Sequence, residues 1–204
     1  MIITGIQELT KAKVKVFIDY EFAFVLYKGE LRTYGISEEK ELEEETYNVI
    51  VDEVLTKRAK LRCMYLLKSR DYTQHGLEEK LRKEFYSEEI IERAIAYVVS
   101  YRYVDDRRYA RAYISYAGKT KSRKQIEYDL IQKGVSKVDI ADAFDELAES
   151  ESLEPEESLI RALLVKKHYK NENANLEERR KIIGFLYRKG FSLDKIYKVV
   201  GESE

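Results

Sequence analysis

A seven-residue phrase that the chain writes three times constrains its fold more than any other feature. It reads Leu81-Arg82-Lys83-Glu84-Phe85-Tyr86-Ser87, then Leu130-Ile131-Gln132-Lys133-Gly134-Val135-Ser136, then Leu186-Tyr187-Arg188-Lys189-Gly190-Phe191-Ser192. An isoleucine follows each serine four residues later: Ile91, Ile140 and Ile196. In the second and third copies, Gly134 and Gly190 can take the left-handed conformation that closes a helix, where a side chain would be strained. The next residue packs back on the last turn, pairing Val135 with Leu130 and Phe191 with Leu186. Ser87, Ser136 and Ser192 then stand where a hydroxyl accepts a backbone N–H of the following helix. Tyr86 with Ile91, Val135 with Ile140 and Phe191 with Ile196 make hydrophobic staples across each cap. Phe85 holds the glycine position of the first copy, so that turn is expected to be strained or differently shaped.

The serines are 49 residues apart (87 to 136) and then 56 apart (136 to 192), room for about three short helices per period. The first unit is expected as helices over 57–70, 74–84 and 87–101, the second over 105–117, 122–133 and 136–149. The third is expected over 155–169, 176–189 and 192–202, with Pro155, the only proline, in a first helical turn where it is tolerated best. Units this small cannot bury their apolar faces alone, so they stack on neighbours. The fold class is therefore mostly α: three tandem three-helix repeats over 56–104, 105–153 and 154–204, forming an elongated, curved array.

Residues 1–55 have a different period. Val14, Val16 and Ile18 alternate with Lys13, Lys15 and Phe17; Phe22, Phe24 and Leu26 alternate with Ala23, Val25 and Tyr27. This period of two reads as a β-hairpin, with residues 2–7 as a candidate third strand. Tyr20 and Glu21 suit a tight turn with positive φ poorly, so a wider loop is expected between the strands. A small sheet is marginal alone. An acidic helix over 41–55, with a stripe of Leu42, Tyr47, Ile50, Val51 and Val54, should cover it.

The net charge of −1 conceals blocks. Residues 38–55 carry eight acids against one lysine. Residues 56–134 carry nineteen Lys or Arg against eleven acids, a net of +8, and residues 139–157 carry nine acids and no base. A basic block inside a near-neutral chain suits a polyanion or an acidic protein groove, while the plainer reading is a solvated helix face. No segment is long and apolar enough to cross a membrane. The lone Cys63 cannot form an internal disulfide, which favours a reducing cytoplasm.

Chemistry-bearing patterns are sparse. Asp105 and Asp106 supply too few ligands for a metal by themselves, and the better reading has Asp105 capping a helix, Val104 and Tyr109 stapling it, and Asp106 favouring its positive end. His75 and His168 stand alone, no glycine-rich phosphate loop is present, and no nucleophile–base pattern is found. Enzyme activity and a cofactor therefore have no sequence support. Tyr109, Tyr113 and Tyr116 form a stripe that is more often a helix core than a platform for bases. Arg107, Arg108 and Arg111 lie off that stripe and are expected to point outward. Lys119, Lys121, Arg123 and Lys124 follow at a helix start, where bases oppose the dipole. With Arg70 and Lys133 they make the candidate partner-binding or DNA-binding face.

These residues also resemble a family. Arg70-Asp71-Tyr72-Thr73 before Leu77-Glu78-Glu79-Lys80-Leu81, then Tyr103-Val104-Asp105-Asp106-Arg107-Arg108-Tyr109-Ala110 and Leu130-Ile131-Gln132-Lys133-Gly134-Val135, look like the bacterial RecX regulatory proteins. The resemblance spans the whole chain. Thr73 stands where the family often has serine, Tyr20 where a turn glycine is usual, and Phe85 at a joint glycine. The resemblance implies a regulator that lies along the groove of the RecA recombinase filament on DNA and suppresses ATP hydrolysis and strand exchange. It also implies a protein working as a monomer, with indirect or weak direct contact to DNA. A module that binds nucleic acid without RecA is the alternative that the basic residues leave open.

Overall fold

The computed structural model describes residues 1–150, 153, 155–170 and 174–201. Three antiparallel strands, β1 (Ile3–Glu8), β2 (Lys13–Ile18) and β3 (Glu21–Tyr27), form a sheet in sequence order. Val14, Val16 and Ile18 are buried as the alternation requires. The register shifts between Val16 and Phe17, and beyond the shift Phe22 is exposed while Phe24, Val25 and Leu26 are all buried.

The wide hairpin loop expected at residue 20 is not formed. Ile18 pairs with Glu21, and the intervening Asp19 and Tyr20 take φ of 49° and 70°, the positive pair of a tight two-residue turn. The neighbouring strand holds them there. The Asp19 carboxylate accepts the Ile2 N–H at 2.9 Å, and the Tyr20 N–H donates to Thr4 Oγ1 at 2.8 Å. Two long-range hydrogen bonds offset a turn that the local sequence disfavours.

A short helix not foreseen from the sequence follows, α1 (Lys28–Thr33), anchored by the Tyr27 N–H donating to Glu30 Oε2 at 2.8 Å. The chain then returns along β1, where Ile3 N–H donates to Lys40 O and Leu42 N–H to Met1 O. The acidic helix begins at α2 (Glu44–Val49), three residues later than expected. It passes through a π-helical turn, Ile50–Leu55, into α3 (Thr56–Leu67) without a break, so the division drawn at 55 and 56 falls inside one helical run. The wider turn brings residues five apart into line: Ile50 with Leu55 and Val51 with Thr56, all buried. The Thr56 hydroxyl donates to Val51 O at 2.8 Å, which satisfies it inside the core.

Among the described residues, nine helices carry the three repeats: α3, α4 (Gln74–Lys83) and α5 (Glu88–Ser100); α6 (Asp106–Ala117), α7 (Arg123–Gln132) and α8 (Lys137–Glu149); α9 (Glu156–Lys166), α10 (Leu176–Arg188) and α11 (Leu193–Val200). In each repeat the first and third helices pack on one another. Pro155 sits at the cap just before α9, one residue ahead of the expected first turn. The chain divides into two units, Met1–Asp105 and Asp106–Glu204. In the first, the sheet and α1–α5 share one buried cluster; in the second, α6–α8 and α9–α11 each have their own. Burying each Leu, Ile or Phe of these clusters is worth roughly 1.5–3 kcal/mol.

All three written joints close alike. Tyr86, Val135 and Phe191 donate their N–H to the carbonyls of Leu81, Leu130 and Leu186, five residues back, at 3.3, 3.0 and 3.3 Å. Gly134 and Gly190 have φ of 81° and 88°. Phe85 adopts the same left-handed turn, at 66°, so this joint is strained and not reshaped. Its ring explains the exception: it lies edge-on to Phe22 of β3 at 6.1 Å, with the Lys15 ammonium of β2 over it at 4.1 Å. The first joint thus binds the sheet to the first repeat, which no glycine could do.

The serine caps need correction. Ser136 accepts the Asp139 N–H at 3.0 Å, but Ser87 and Ser192 hold the cap backbone geometry without any side-chain cap bond. The consistent side-chain caps are on the middle helix of each repeat. Thr73, Ser122 and Asn175 accept N–H groups of Gly76, Gln125 and Glu178 at 3.0, 3.3 and 2.9 Å. Val104, expected to staple Tyr109, is buried in the first cluster, whereas Tyr109 packs on the second.

Candidate functional site

The basic residues singled out in the second repeat lie on α6, on the 118–122 turn and at the start of α7. This turn is fixed from several sides. Ser122, 1% exposed, donates its hydroxyl to Lys189 O at 2.7 Å while capping α7. The Gly190 backbone lies so close that a Cβ there would come within 2.6 Å of Ser122 Oγ. The Glu156 carboxylate, at the start of α9, accepts the Arg123 N–H at 2.6 Å and pairs with Lys195 of α11 at 2.7 Å. The second and third repeats are therefore clamped around the beginning of α7.

Most of the expected outward bases have internal partners. Arg107 pairs with Asp142 at 3.0 Å and also with Glu146, and Arg111 reaches Glu146 at 3.3 Å. The spacing gives the reason: Arg107 and Arg111 are four apart on α6, Asp142 and Glu146 four apart on α8, so each pair presents one helical face. Part of the acidic block after residue 139 thus answers part of the basic block before it. Lys121 donates to Asp129 at 2.7 Å and to the Tyr113 hydroxyl at 3.1 Å, and that hydroxyl donates to Asp129 at 2.9 Å. Hydrogen bonding to Lys121, aided by Tyr113, holds the Asp129 carboxyl below its ordinary range, and the same bonds raise Lys121. Arg123 bonds Glu127 at 2.8 Å and lies 4.4 Å over the Phe144 ring. Lys133 lies 5.6 Å over Tyr113.

Lys119 and Lys124 are exposed and make no ion pair among the described residues. Arg108, on α6, is exposed and is not without a partner. Arg70 belongs to the first unit, its guanidinium 4.6 Å over Tyr72. Asp105 directly precedes α6 and Asp106 opens it. The tyrosine stripe divides: Tyr109 and Tyr113 stack near parallel at 6.5 Å against the core, whereas Tyr116 is 80% exposed. Tyr103 is exposed and stacks on Tyr101 at 6.0 Å.

Sequence reasoning passed over a second surface, in the first unit. Leu61 and Tyr65 of α3 are 58% and 67% exposed and line a groove with Tyr27, Tyr86, Arg58 and Arg62. Arg58 lies 4.8 Å over Tyr27 and pairs with Glu30; Arg62 bonds Glu84 at 2.7 Å. Burial pushes the Tyr86 phenol up to about 12. The signal was an apolar residue at 61 and an aromatic one at 65, four apart, outside the core stripe. Among the described residues no group of three His, Cys, Asp or Glu side chains could hold a metal ion, and no helix is long and apolar enough to cross a membrane.

Comparison with known proteins decides the family. Residues 59–97, 105–143 and 155–200 match the first, second and third three-helix domains of RecX. A regulatory protein RecX of Caldanaerobacter subterraneus subsp. tengcongensis is 32% identical over 98% of both chains. The chain belongs to the RecX family. A second RecX, from Clostridium acetobutylicum, is 29% identical over 96% of this chain and 92% of its own. The crystal structure of a regulatory protein RecX shares the fold with a TM-score of 0.65 at 23% identity, covering 99% of each chain. The RecX of Lactobacillus salivarius does so at 0.60, covering 72% of this chain and 96% of its own. In this RecX family member the ion pairs of Arg107, Arg111, Lys121 and Arg123 lie within the second repeat, while the Ser122 hydroxyl and the Arg123 N–H carry the bonds to the third.

Proposed function

We propose that this chain regulates the RecA recombinase, binding the RecA filament on DNA and suppressing its ATP hydrolysis and strand exchange. Similarity to proteins named regulatory protein RecX over nearly the whole chain carries the reading. The repeats supply successive surfaces that can engage neighbouring subunits of a filament, which raises avidity without a single tight contact. The chain acts as a monomer in a reducing cytoplasm, and needs no cofactor for this role. Its exposed Lys119 and Lys124, which make no ion pair among the described residues, face the DNA-bearing partner, and the Tyr27–Arg58–Leu61–Tyr65 groove adds the Tyr and Arg anchors that protein interfaces favour.

Co-sedimentation with filaments of RecA on single-stranded DNA tests this. The protein should pellet with filaments and remain in the supernatant with naked DNA at the same salt. Direct nucleic-acid binding without RecA, the second reading, predicts pelleting with DNA alone and a steep loss as salt rises. The internal pairing of Arg107, Arg111, Lys121 and Arg123 weighs against it, since a cation already paired with a carboxylate neutralises less phosphate charge and so releases fewer of the counterions condensed on DNA.

A further inference from the structure

The third repeat holds a cavity of about 530 Å³ between the end of α9 and the first turns of α10. Its floor is apolar, with Ile182 buried and Phe185 half-buried. The lining also carries three lysines, Lys167, Lys170 and Lys181, beside His168 and Tyr169. Among the described residues, the one carboxylate on the lining, Glu178, already accepts the Asn175 N–H at 3.1 Å as part of the α10 cap. Lys181 pairs with Glu177 at 2.6 Å, but both side chains are some three-quarters exposed, so that pair holds it weakly. Lys167 and Lys170 make no ion pair among the described residues. Lys167 and Lys189 instead crowd the Phe185 ring, at 5.0 and 5.5 Å from its centroid.

Like charges gathered around one concavity repel and raise the local potential for an anion. The dipole at the end of α9 accounts for Lys167, yet not for Lys170 beyond it or Lys181 on the next helix. His168 takes φ of 54° in the closing turn of α9, as Phe85 and Arg102 do at 66° and 56° after α4 and α5.

We propose that this cavity binds a nucleotide, with phosphate oxygens among Lys167, Lys170 and Lys181 and the base against Ile182 and Phe185. Lysines serve as point charges for phosphate. The volume falls in the range of small-molecule sites and exceeds what a bare phosphate fills, while an apolar, aromatic floor suits the face of any base. The nucleotide can be free or a unit of a single strand, since both present the same phosphate and base.

Equilibrium dialysis of the full chain, with RecA absent, tests this independently of the filament reading. The probes are ATP, 5′-phosphorylated tetrathymidylate, thymidine and inorganic phosphate. Retention of ATP assigns a free nucleotide, and retention of the oligonucleotide alone assigns a strand. In either case Lys167→Gln/Lys170→Gln should weaken retention at least tenfold, thymidine should not be held, and Phe185→Leu should weaken nucleotide binding severalfold with an unchanged helical spectrum. The proposal is overturned if neither nucleotide probe is retained at millimolar concentration. It is equally overturned if the lysine variant binds as well as wild type, or if inorganic phosphate competes as strongly as the nucleotide.

Discussion

The Ser122 hydroxyl donates to the backbone carbonyl of Lys189 at 2.7 Å, joining the cap of α7 to the turn that ends α10. One side chain thus serves a local and a long-range task, since it also accepts the Gln125 N–H. Ser122→Ala should cost about 2 kcal/mol, because it removes a cap and also the bond to the Lys189 carbonyl. Ser136→Ala, which removes only a local cap, should cost about 1 kcal/mol. Denaturant midpoints for the two variants check the order, and equal losses would contradict the clamp.

At the first joint, Phe85 combines a left-handed backbone with ring contacts to Phe22 and Lys15. Phe85→Ala keeps the backbone penalty of about 1 kcal/mol and loses contacts of similar worth. Phe85→Gly loses the contacts but relieves the penalty. Thermal melts should therefore place wild type first, glycine second and alanine last. An alanine variant as stable as wild type would show that the ring does not hold the sheet.

Arg107 is a structural residue by its pairs with Asp142 and Glu146. Arg107→Glu should lower stability by about 1 kcal/mol or less, as exposed pairs do, and Glu146→Arg should restore it in the same chain. By contrast, Lys119→Glu/Lys124→Glu should leave the melt unchanged and weaken filament inhibition severalfold. Unaltered inhibition would show that these lysines are ordinary solvated surface.

Asp129 gives the acid limb a specific cause. Its folded carboxyl is held below the unfolded value, which lies at about 4, by the Lys121 and Tyr113 bonds. A depressed folded value means stability that is fully present above pH 4 and is lost as pH falls further. Asp129→Asn should flatten that loss while leaving stability at pH 7 lower than wild type. A variant with the wild-type acid limb would remove Asp129 as its source.

What the sequence showed depended on range. The joints at Gly134 and Gly190 were legible because glycine, staple and helix start lie within a few residues. The left-handed turns at Arg102 and His168 were not, since no glycine marks them. The Asp19–Tyr20 turn was misread because Thr4 and Ile2, not the turn residues, stabilise it. The π turn before Thr56 left no local mark beyond paired apolar residues five apart. Arg107 and Arg111 were expected to point outward because their partners lie 35–39 residues further on. The matching four-residue spacings of base and acid were visible in the sequence, but only packing of α6 on α8 gives them meaning.

Regulation of RecA is decided by the DNA-dependent ATPase of RecA, measured as this protein is titrated in. The rate should fall progressively and reach a low plateau at saturation, with Lys119→Glu/Lys124→Glu shifting the curve to higher concentration. A rate unchanged at saturating protein would contradict the claim.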